Sequence, residues 1–155
     1  MKKRVILSAW CTIMTAIGLI VLLAALYYAK SPLAIGCAAG ALVVLCGTAL
    51  LYMPLSISVK DGELNINRPL KIKSIPLSSI ESVKLTSPTM AEKRICGSGG
   101  GFGYYGWFNG PSIGKYFAYY GKSSDCFLVT LKDGKKYLLG CEDPQEIVEF
   151  INKLL

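Results

Sequence analysis

Two long apolar runs without a formal charge follow each other at the start of this chain. Val5–Ala29 has 25 residues, eleven of them Leu, Ile or Val, and Pro32–Met53 has 22. A helix rises about 1.5 Å per residue, so about 20 apolar residues cross a hydrocarbon core of about 30 Å. The pattern predicts a transmembrane helical hairpin in residues 1–55, with helices at about 5–29 and 32–53.

A cleaved signal peptide is the alternative to the first helix. The run follows Lys2, Lys3 and Arg4, as the core of a signal peptide would. Its length exceeds the usual signal core of about 7–15 residues. The best cleavage point has Tyr27 three positions before it, where a small residue is needed. We therefore expect two retained helices.

Positive charge flanks the two runs unevenly. Three basic residues precede the first run and one lies in the turn, whereas Lys60, Arg68, Lys71 and Lys73 follow the second. The positive-inside rule then places both termini in the cytoplasm. The net charge of +7 divides into +4 before residue 56 and +3 after it, without the concentrated basic face that nucleic acid requires. The sequence predicts a membrane crossed twice and no nucleic-acid partner.

Glycines lie on one face of the second run. Gly36 and Gly40 form a small-xxx-small pair, and Gly47 falls close to the same face. Such glycines let two helix backbones approach closely. They are expected either to pack the second helix against the first or to form a homo-oligomer.

From Ser56 onwards the sequence predicts a small β domain in residues 56–155. Short stretches alternate between apolar and polar residues, which is typical of half-buried strands. Asp61-Gly62 and Asp133-Gly134 are hairpin-turn signals between such stretches. The seven predicted strands are Ser56–Lys60, Glu63–Asn67, Lys71–Ile75, Glu81–Thr86, Gly114–Tyr120, Asp125–Leu131 and Lys135–Leu139.

The chain closes with a predicted amphipathic helix. Asp143 suits the N-cap, Pro144 the first helical position, and Glu146 the place of a capping-box partner. An apolar stripe at helical spacing follows. Its members are Ile147, Val148, Phe150, Ile151 and Leu154.

One stretch, Ser87–Ile113, has no strand pattern and is predicted to be a long loop. It is rich in glycine, and nine of the chain's sixteen aromatic residues lie between Phe102 and Tyr120. Loops of this length in compact domains are usually functional or disordered, and the aromatic content argues against disorder. Its Gly-x-Gly-x-x-Gly string lacks the following helix that a dinucleotide site needs.

The order of residues in and after this stretch resembles the bacterial PH-like domain family. The resemblance is carried by Arg94, Gly97, Gly99, Gly103-Tyr104-Tyr105-Gly106, Phe108, Gly114-Lys115-Tyr116, a Lys-Asp-Gly-Lys-Lys-Tyr turn and the terminal Asp-Pro helix. It implies a pair of membrane helices in a bacterial inner membrane, then a seven-stranded, strongly bent sheet or barrel capped by a C-terminal helix. The predicted class is thus α+β, mostly β. The family's fold does not specify a ligand.

Three roles are open for the aromatic residues of the glycine-rich stretch, whose most distinctive part is 95–113. They pack within the domain, dip into the bilayer interface, or form a protein-contact patch. Nearby cations would suit anionic headgroups. The candidate contacts for a partner or lipid are Lys93, Arg94, Phe102, Tyr104, Tyr105, Trp107, Phe108 and Lys115.

The sequence lacks the usual catalytic inventory. It has no histidine, which removes the common nucleophile–base pairs, and its six cysteines show no metal-binding spacing. We expect no catalytic, cofactor or metal site. The leading hypothesis is a non-enzymatic, membrane-anchored module that binds an unknown protein partner or copies of itself. The alternatives are binding of anionic lipid headgroups and an accessory role in a membrane transport or enzyme complex.

Overall fold

The computed structural model describes residues 1–89 and 91–155 of the chain. Two N-terminal helices precede a domain of two β-sheets and one C-terminal helix. The helices are α1 (Ala9–Tyr28), α2 (Pro32–Tyr52) and α3 (Pro144–Asn152). The strands are β1 (Lys2–Arg4), β2 (Ser56–Lys60), β3 (Glu63–Asn67), β4 (Ile72–Pro76), β5 (Ile80–Leu85), β6 (Lys93–Gly100), β7 (Gly103–Gly110), β8 (Gly114–Tyr120), β9 (Cys126–Leu131) and β10 (Lys136–Gly140).

Helices α1 and α2 lie against each other and are joined by a short turn. Each begins at a serine that accepts a hydrogen bond from the first turn: Ser8 Oγ from the Cys11 amide and Ser31 Oγ from the Ala34 amide, both at 3.2 Å. Both helices are long and apolar enough to cross a membrane, and only 6% and 11% of their most apolar stretches are buried. They therefore differ from the core helices of a soluble fold, and the predicted membrane-crossing pair fits the structure.

The residues before α1 belong to the β domain, which the sequence did not predict. Lys2–Arg4 form β1, which pairs antiparallel with β2 and sets Lys3 opposite Ile57. Helix α1 begins at Ala9 rather than near residue 5, because the Val5 amide still donates to the Leu55 carbonyl at 3.0 Å and Ser8 caps the helix. The Arg4 carbonyl also accepts a hydrogen bond from the Glu142 amide at 2.8 Å. Since β1 and β2 flank the helix pair directly, residues 1–4 and the domain lie on the same side of it.

The ten strands form two open sheets rather than a closed barrel. One sheet has the order β1-β2-β3-β4 and the other β5-β9-β10-β8-β7-β6. The seven strands predicted from alternation are all present, close to their expected bounds. Only β8 and β10 pair in parallel among the described strands. The mostly β class with a C-terminal helix is confirmed.

The long loop predicted for 87–113 is wrong for most of its length. Residues 93–110 form the hairpin β6–β7, which pairs from Lys93 opposite Asn109 to Gly100 opposite Gly103. Glycine and aromatic residues hide the alternation that marks a strand, and glycine has low strand propensity. The glycines at positions 97 and 106 allow the backbones of the two strands to approach closely.

The core lies between the two sheets and is closed by α3. Three residues of the predicted stripe of α3, Ile147, Val148 and Ile151, are buried there. Phe150 and Leu154 are exposed, contrary to the prediction. The fully buried aliphatic and aromatic side chains of the sheets include Ile57, Leu64, Ile66, Phe127, Val129 and Leu139.

The start of α3 differs from the predicted capping box. Asp143 has a left-handed backbone (φ 48°), and its side chain makes no capping hydrogen bond. Lys3 of β1 instead binds both carboxylates, with Nζ 3.3 Å from Asp143 Oδ2 and 2.5 Å from Glu146 Oε2. The tertiary contact with β1 has replaced the local cap.

Candidate functional site

The predicted aromatic contacts do not form one exposed patch. Tyr105 and Phe108 are 5% and 6% exposed. They lie on opposite faces of β7: Tyr105 packs in the core between the sheets, and Phe108 packs with Ile113 and Tyr116 in a second cluster. Trp107 is more exposed than either Tyr105 or Phe108, with 37% of its surface accessible. Tyr104 stacks on Tyr120 at 4.7 Å between ring centroids, and Phe102 packs against the core from the hairpin tip. Packing within the domain is therefore the main role of these residues.

The three predicted cations lie in two regions of the sheet. Lys93 and Lys115 both lie opposite Asn109 on neighbouring strands, so they share one region of the sheet. Lys115 Nζ lies 5.0 Å from the centroid of the Trp107 ring, a cation–π contact. Arg94 instead extends along β6 toward Gly99 and lies beside the helices. The Arg94 side chain is therefore separate from the region that Lys93 and Lys115 share.

The structure shows a different cationic cavity, of about 500 Å³, between the end of α2 and the sheets. Its three cations come from the β3–β4 turn and β4, and its walls are aromatic. No carboxylate lies among its lining residues in the described part of the chain. We call it the cationic groove; its lining is Tyr52, Arg68, Lys71, Ile72, Lys73, Ser74, Trp107, Phe117, Tyr119 and Tyr137.

Arg68 is held in the groove by the end of α2. Its Nη1 donates to the Leu51 carbonyl at 3.0 Å, and its Nε donates to the Lys71 carbonyl at 3.2 Å. The last carbonyls of a helix lack partners within the helix and carry partial negative charge, so an arginine there is stabilised. The guanidinium also lies 5.8 and 5.7 Å from the ring centroids of Tyr52 and Tyr119. These contacts hold the Arg68 guanidinium in a fixed position in the groove.

The other cations of the groove are less constrained. Lys73 Nζ lies 5.0 Å from the centroid of the Tyr137 ring, and Lys71 is exposed. Neither forms an ion pair among the described residues. Burial raises the pKa of Tyr119, so its hydroxyl stays neutral at ordinary pH. The groove therefore combines positive charge, a neutral phenol and aromatic walls.

The groove lies at the level where α2 would leave a membrane. The Leu70 amide donates to the Leu50 carbonyl at 3.3 Å, which fixes the β3–β4 turn beside the last turn of α2. Leu70 is 67% exposed next to the exposed Leu50 and Leu51. Tyr52 ends the helix, as aromatic rings do at the headgroup level. A spanning α2 thus brings the cations to the bilayer surface.

Sequence reasoning assigned these cations another role. In the sequence, Arg68, Lys71 and Lys73 indicate the orientation of the helices through the positive-inside rule. Their spacing along an otherwise ordinary strand gives no sign of a site. The available signal was their position just after the second apolar run.

Other candidate chemistry is sparse. The described residues contain no cluster of three His, Cys, Asp or Glu side chains that would hold a metal ion. Burial raises the pKa of the Cys126 thiol, and it raises the pKa of Cys141 to about 12, so both thiols stay protonated. Cys96 is exposed on β6.

The predicted packing glycines of α2 are open. A Cβ built at Gly36, Gly40 or Gly47 would meet nothing within 4 Å. The contact between α1 and α2 therefore does not depend on them, and this face of α2 is available to another occupant.

A comparison with known proteins identifies the domain. The family model of the bacterial PH domain matches residues 55–155, which include all of the β domain except β1. No curated protein and no solved structure matches the chain.

Proposed function

This chain belongs to the bacterial PH domain family, and we propose that it is a non-enzymatic, membrane-anchored module that binds anionic lipid headgroups. In this proposal the helix pair spans a bacterial cytoplasmic membrane, with both termini and the PH domain on the cytoplasmic side. The observation that supports it best is the cationic groove, which meets the end of α2.

The charge of the groove favours an anion of small size. Arg68, Lys71 and Lys73 converge on it without a carboxylate to neutralise them in the described residues. A phosphate oxygen accepts charge-assisted hydrogen bonds from arginine and lysine, and these are about twice as strong as neutral ones. The location beside the last turn of α2 favours a phosphate that is already at the membrane surface.

The headgroup proposal is tested with purified full-length protein in mild detergent. A Trp10→Phe background leaves Trp107, which lines the groove, as the sole tryptophan. Its fluorescence reports titration with phosphatidylglycerol or phosphatidylcholine. We expect Lys71→Gln/Lys73→Gln to weaken phosphatidylglycerol binding by about tenfold to thirtyfold, since each lysine near an anionic surface contributes about 1 kcal/mol.

Lys84→Gln/Lys153→Gln is the matched control, because it removes two exposed lysines that lie outside the groove. It should leave binding nearly unchanged. Equal losses in the two double variants, or equal affinity for the two lipids, would refute the groove as a headgroup site.

Self-assembly is a second candidate function, supported by the open glycine face of α2. Close approach of two such faces would place Gly40 of one copy against the other. Cross-linking in native membranes should then trap a dimer that Gly40→Leu abolishes. Ala34→Leu, at an exposed position about 120° around α2 from Gly40, should not abolish it. A monomer in the unmodified protein would exclude this function.

A further inference from the structure

The cationic groove does not end at Tyr52. A second cavity of about 270 Å³ shares Tyr52, Trp107 and Phe117 with it and runs between α2 and the β6–β7 hairpin. A third, of about 870 Å³, shares Thr48 and Tyr105 with the second and continues along the helices. The three cavities therefore adjoin one another in a row along α2, and we call this row the channel.

The chemistry of this channel changes along its length. Its domain end carries the three cations, whereas its far end is lined mainly by the apolar α2 residues Gly40, Ala41, Val44 and Leu45. The opposite wall is the glycine-rich strand β6, which contributes Cys96, Gly97, Ser98 and Gly99 to the lining. The channel is therefore amphipathic, with charge at the membrane surface and apolar walls beneath.

The channel's length matches one leaflet. Twelve residues separate Gly40 from Tyr52, which corresponds to about 18 Å of helix at 1.5 Å per residue. Half of a hydrocarbon core is about 15 Å thick. A chain that starts at the groove would thus reach the middle of the bilayer along this face of α2.

We propose that the channel binds one whole anionic phospholipid, with its phosphate between Arg68 and Lys71 and one acyl chain between α2 and β6. This inference rests on the proposed function and adds the acyl chain to the ligand. The β6 wall distinguishes such a lipid from those that merely surround the helices, because the chain contacts protein on both sides. Arg94 lies on this wall, and its long side chain is able to reach the polar surface.

The test uses full-length protein in nanodiscs of phosphatidylcholine that contain a small fraction of chain-brominated phosphatidylglycerol. Bromine quenches a tryptophan that it contacts. In the Trp10→Phe variant, Trp107 should be quenched well beyond the mole fraction of brominated lipid. In the Trp107→Phe variant, Trp10, which is 59% exposed on α1, should be quenched only in proportion to it.

Val44→Phe tests the acyl-chain site, and Val43→Phe is its matched control. Val44 lines the channel and its neighbour Val43 does not, although the two side chains are similarly exposed, at 65% and 71%. Val44→Phe should abolish the excess quenching of Trp107, and Val43→Phe should preserve it. Equal quenching in the two variants, or quenching that follows mole fraction, would overturn the inference.

Deacylated phosphatidylglycerol separates failure of this inference from failure of the proposed function. If the water-soluble headgroup binds as tightly as the phospholipid and Val44→Phe changes nothing, the headgroup site in the groove is supported and the acyl-chain site is refuted. If neither the deacylated headgroup nor the phospholipid binds, both the proposed function and this inference are refuted. Loss of a cross-linked dimer in Val44→Phe without any excess quenching would assign the face to a second copy and also overturn the inference.

Discussion

At the scale of single residues, two glycines explain why the hairpin forms from an unlikely sequence. Gly97 and Gly106 lie opposite each other on β6 and β7, with φ of 131° and 124°. A Cβ at Gly97 would lie 2.1 Å from the Tyr105 carbonyl oxygen. Both positions thus require glycine on two grounds, since backbone conformation and space each exclude a side chain.

Gly97→Ala is therefore expected to destabilise the domain by about 1–3 kcal/mol, the cost of a strained backbone position, or more if the strands separate. Gly99→Ala is the control, because its Cβ would meet only the end of the flexible Arg94 side chain. It should change stability by less than about 0.5 kcal/mol. Thermal unfolding in detergent measures both, and equal midpoints would contradict the role of Gly97.

At the scale of elements, β1 fastens the start of the chain to both the sheet and α3. It pairs with β2, and Lys3 binds Glu146 and Asp143 at the start of α3. These contacts hold residues on both sides of α1 and α2 in one body. The helix pair is therefore anchored to the domain at each of its cytoplasm-facing ends in the proposed orientation.

Lys3→Ala should lower the unfolding midpoint, whereas Lys2→Ala, which removes an exposed charge from the same strand, should not. The carboxylates of Glu146 and, more weakly, Asp143 hold the pKa of Lys3 above its ordinary value of 10.5. The stabilisation is fully present below that pH and is lost as the pH rises through the raised pKa. Unfolding of both variants between neutral and strongly alkaline pH checks this, and a difference that persists when Lys3 is uncharged would argue against the ion pairs.

The strands were most predictable where apolar and polar residues alternate. Strands β2, β3 and β5 show this clearly, because a period of two follows from local backbone geometry. Strands β1, β6 and β7 escaped prediction, since β1 is short and charged and β6 and β7 are rich in glycine. Strand β1 pairs with the distant strand β2, which no local pattern records, whereas β6 and β7 pair with each other in a hairpin that their glycines conceal.

At the scale of the whole molecule, the domain is docked on the helix pair. The Phe102 amide donates to Thr15 Oγ1 of α1 at 2.7 Å, and Tyr105 stacks on Tyr52 of α2 with ring centroids 6.0 Å apart. The Ser8 amide donates to the Gly121 carbonyl at 3.0 Å. The positions of the groove and of the helices are thus coupled, and the bilayer sets the height of the groove.

This arrangement predicts the membrane topology. Alkaline carbonate should leave the full-length protein in the membrane, because both helices are long and apolar enough to cross it. A fluorescent reporter that matures only in the cytoplasm should be bright when fused after Leu155. An alkaline phosphatase inserted at Lys30 should be active only outside. A dark C-terminal fusion would reverse the orientation and place the groove on the opposite leaflet.

The sequence by itself determined which part is long and apolar enough to cross hydrocarbon, the two runs, and which part forms a half-buried sheet. Hydropathy and periodicity are local properties, so they also indicated the C-terminal helix, whereas the order of residues around the glycine-rich stretch indicated the family. Only the tertiary structure decided that Arg68 meets Leu51 and that Trp107 and Tyr119 complete the cationic groove. Those residues are distant along the chain, and their meeting depends on how the sheets pack against the end of α2.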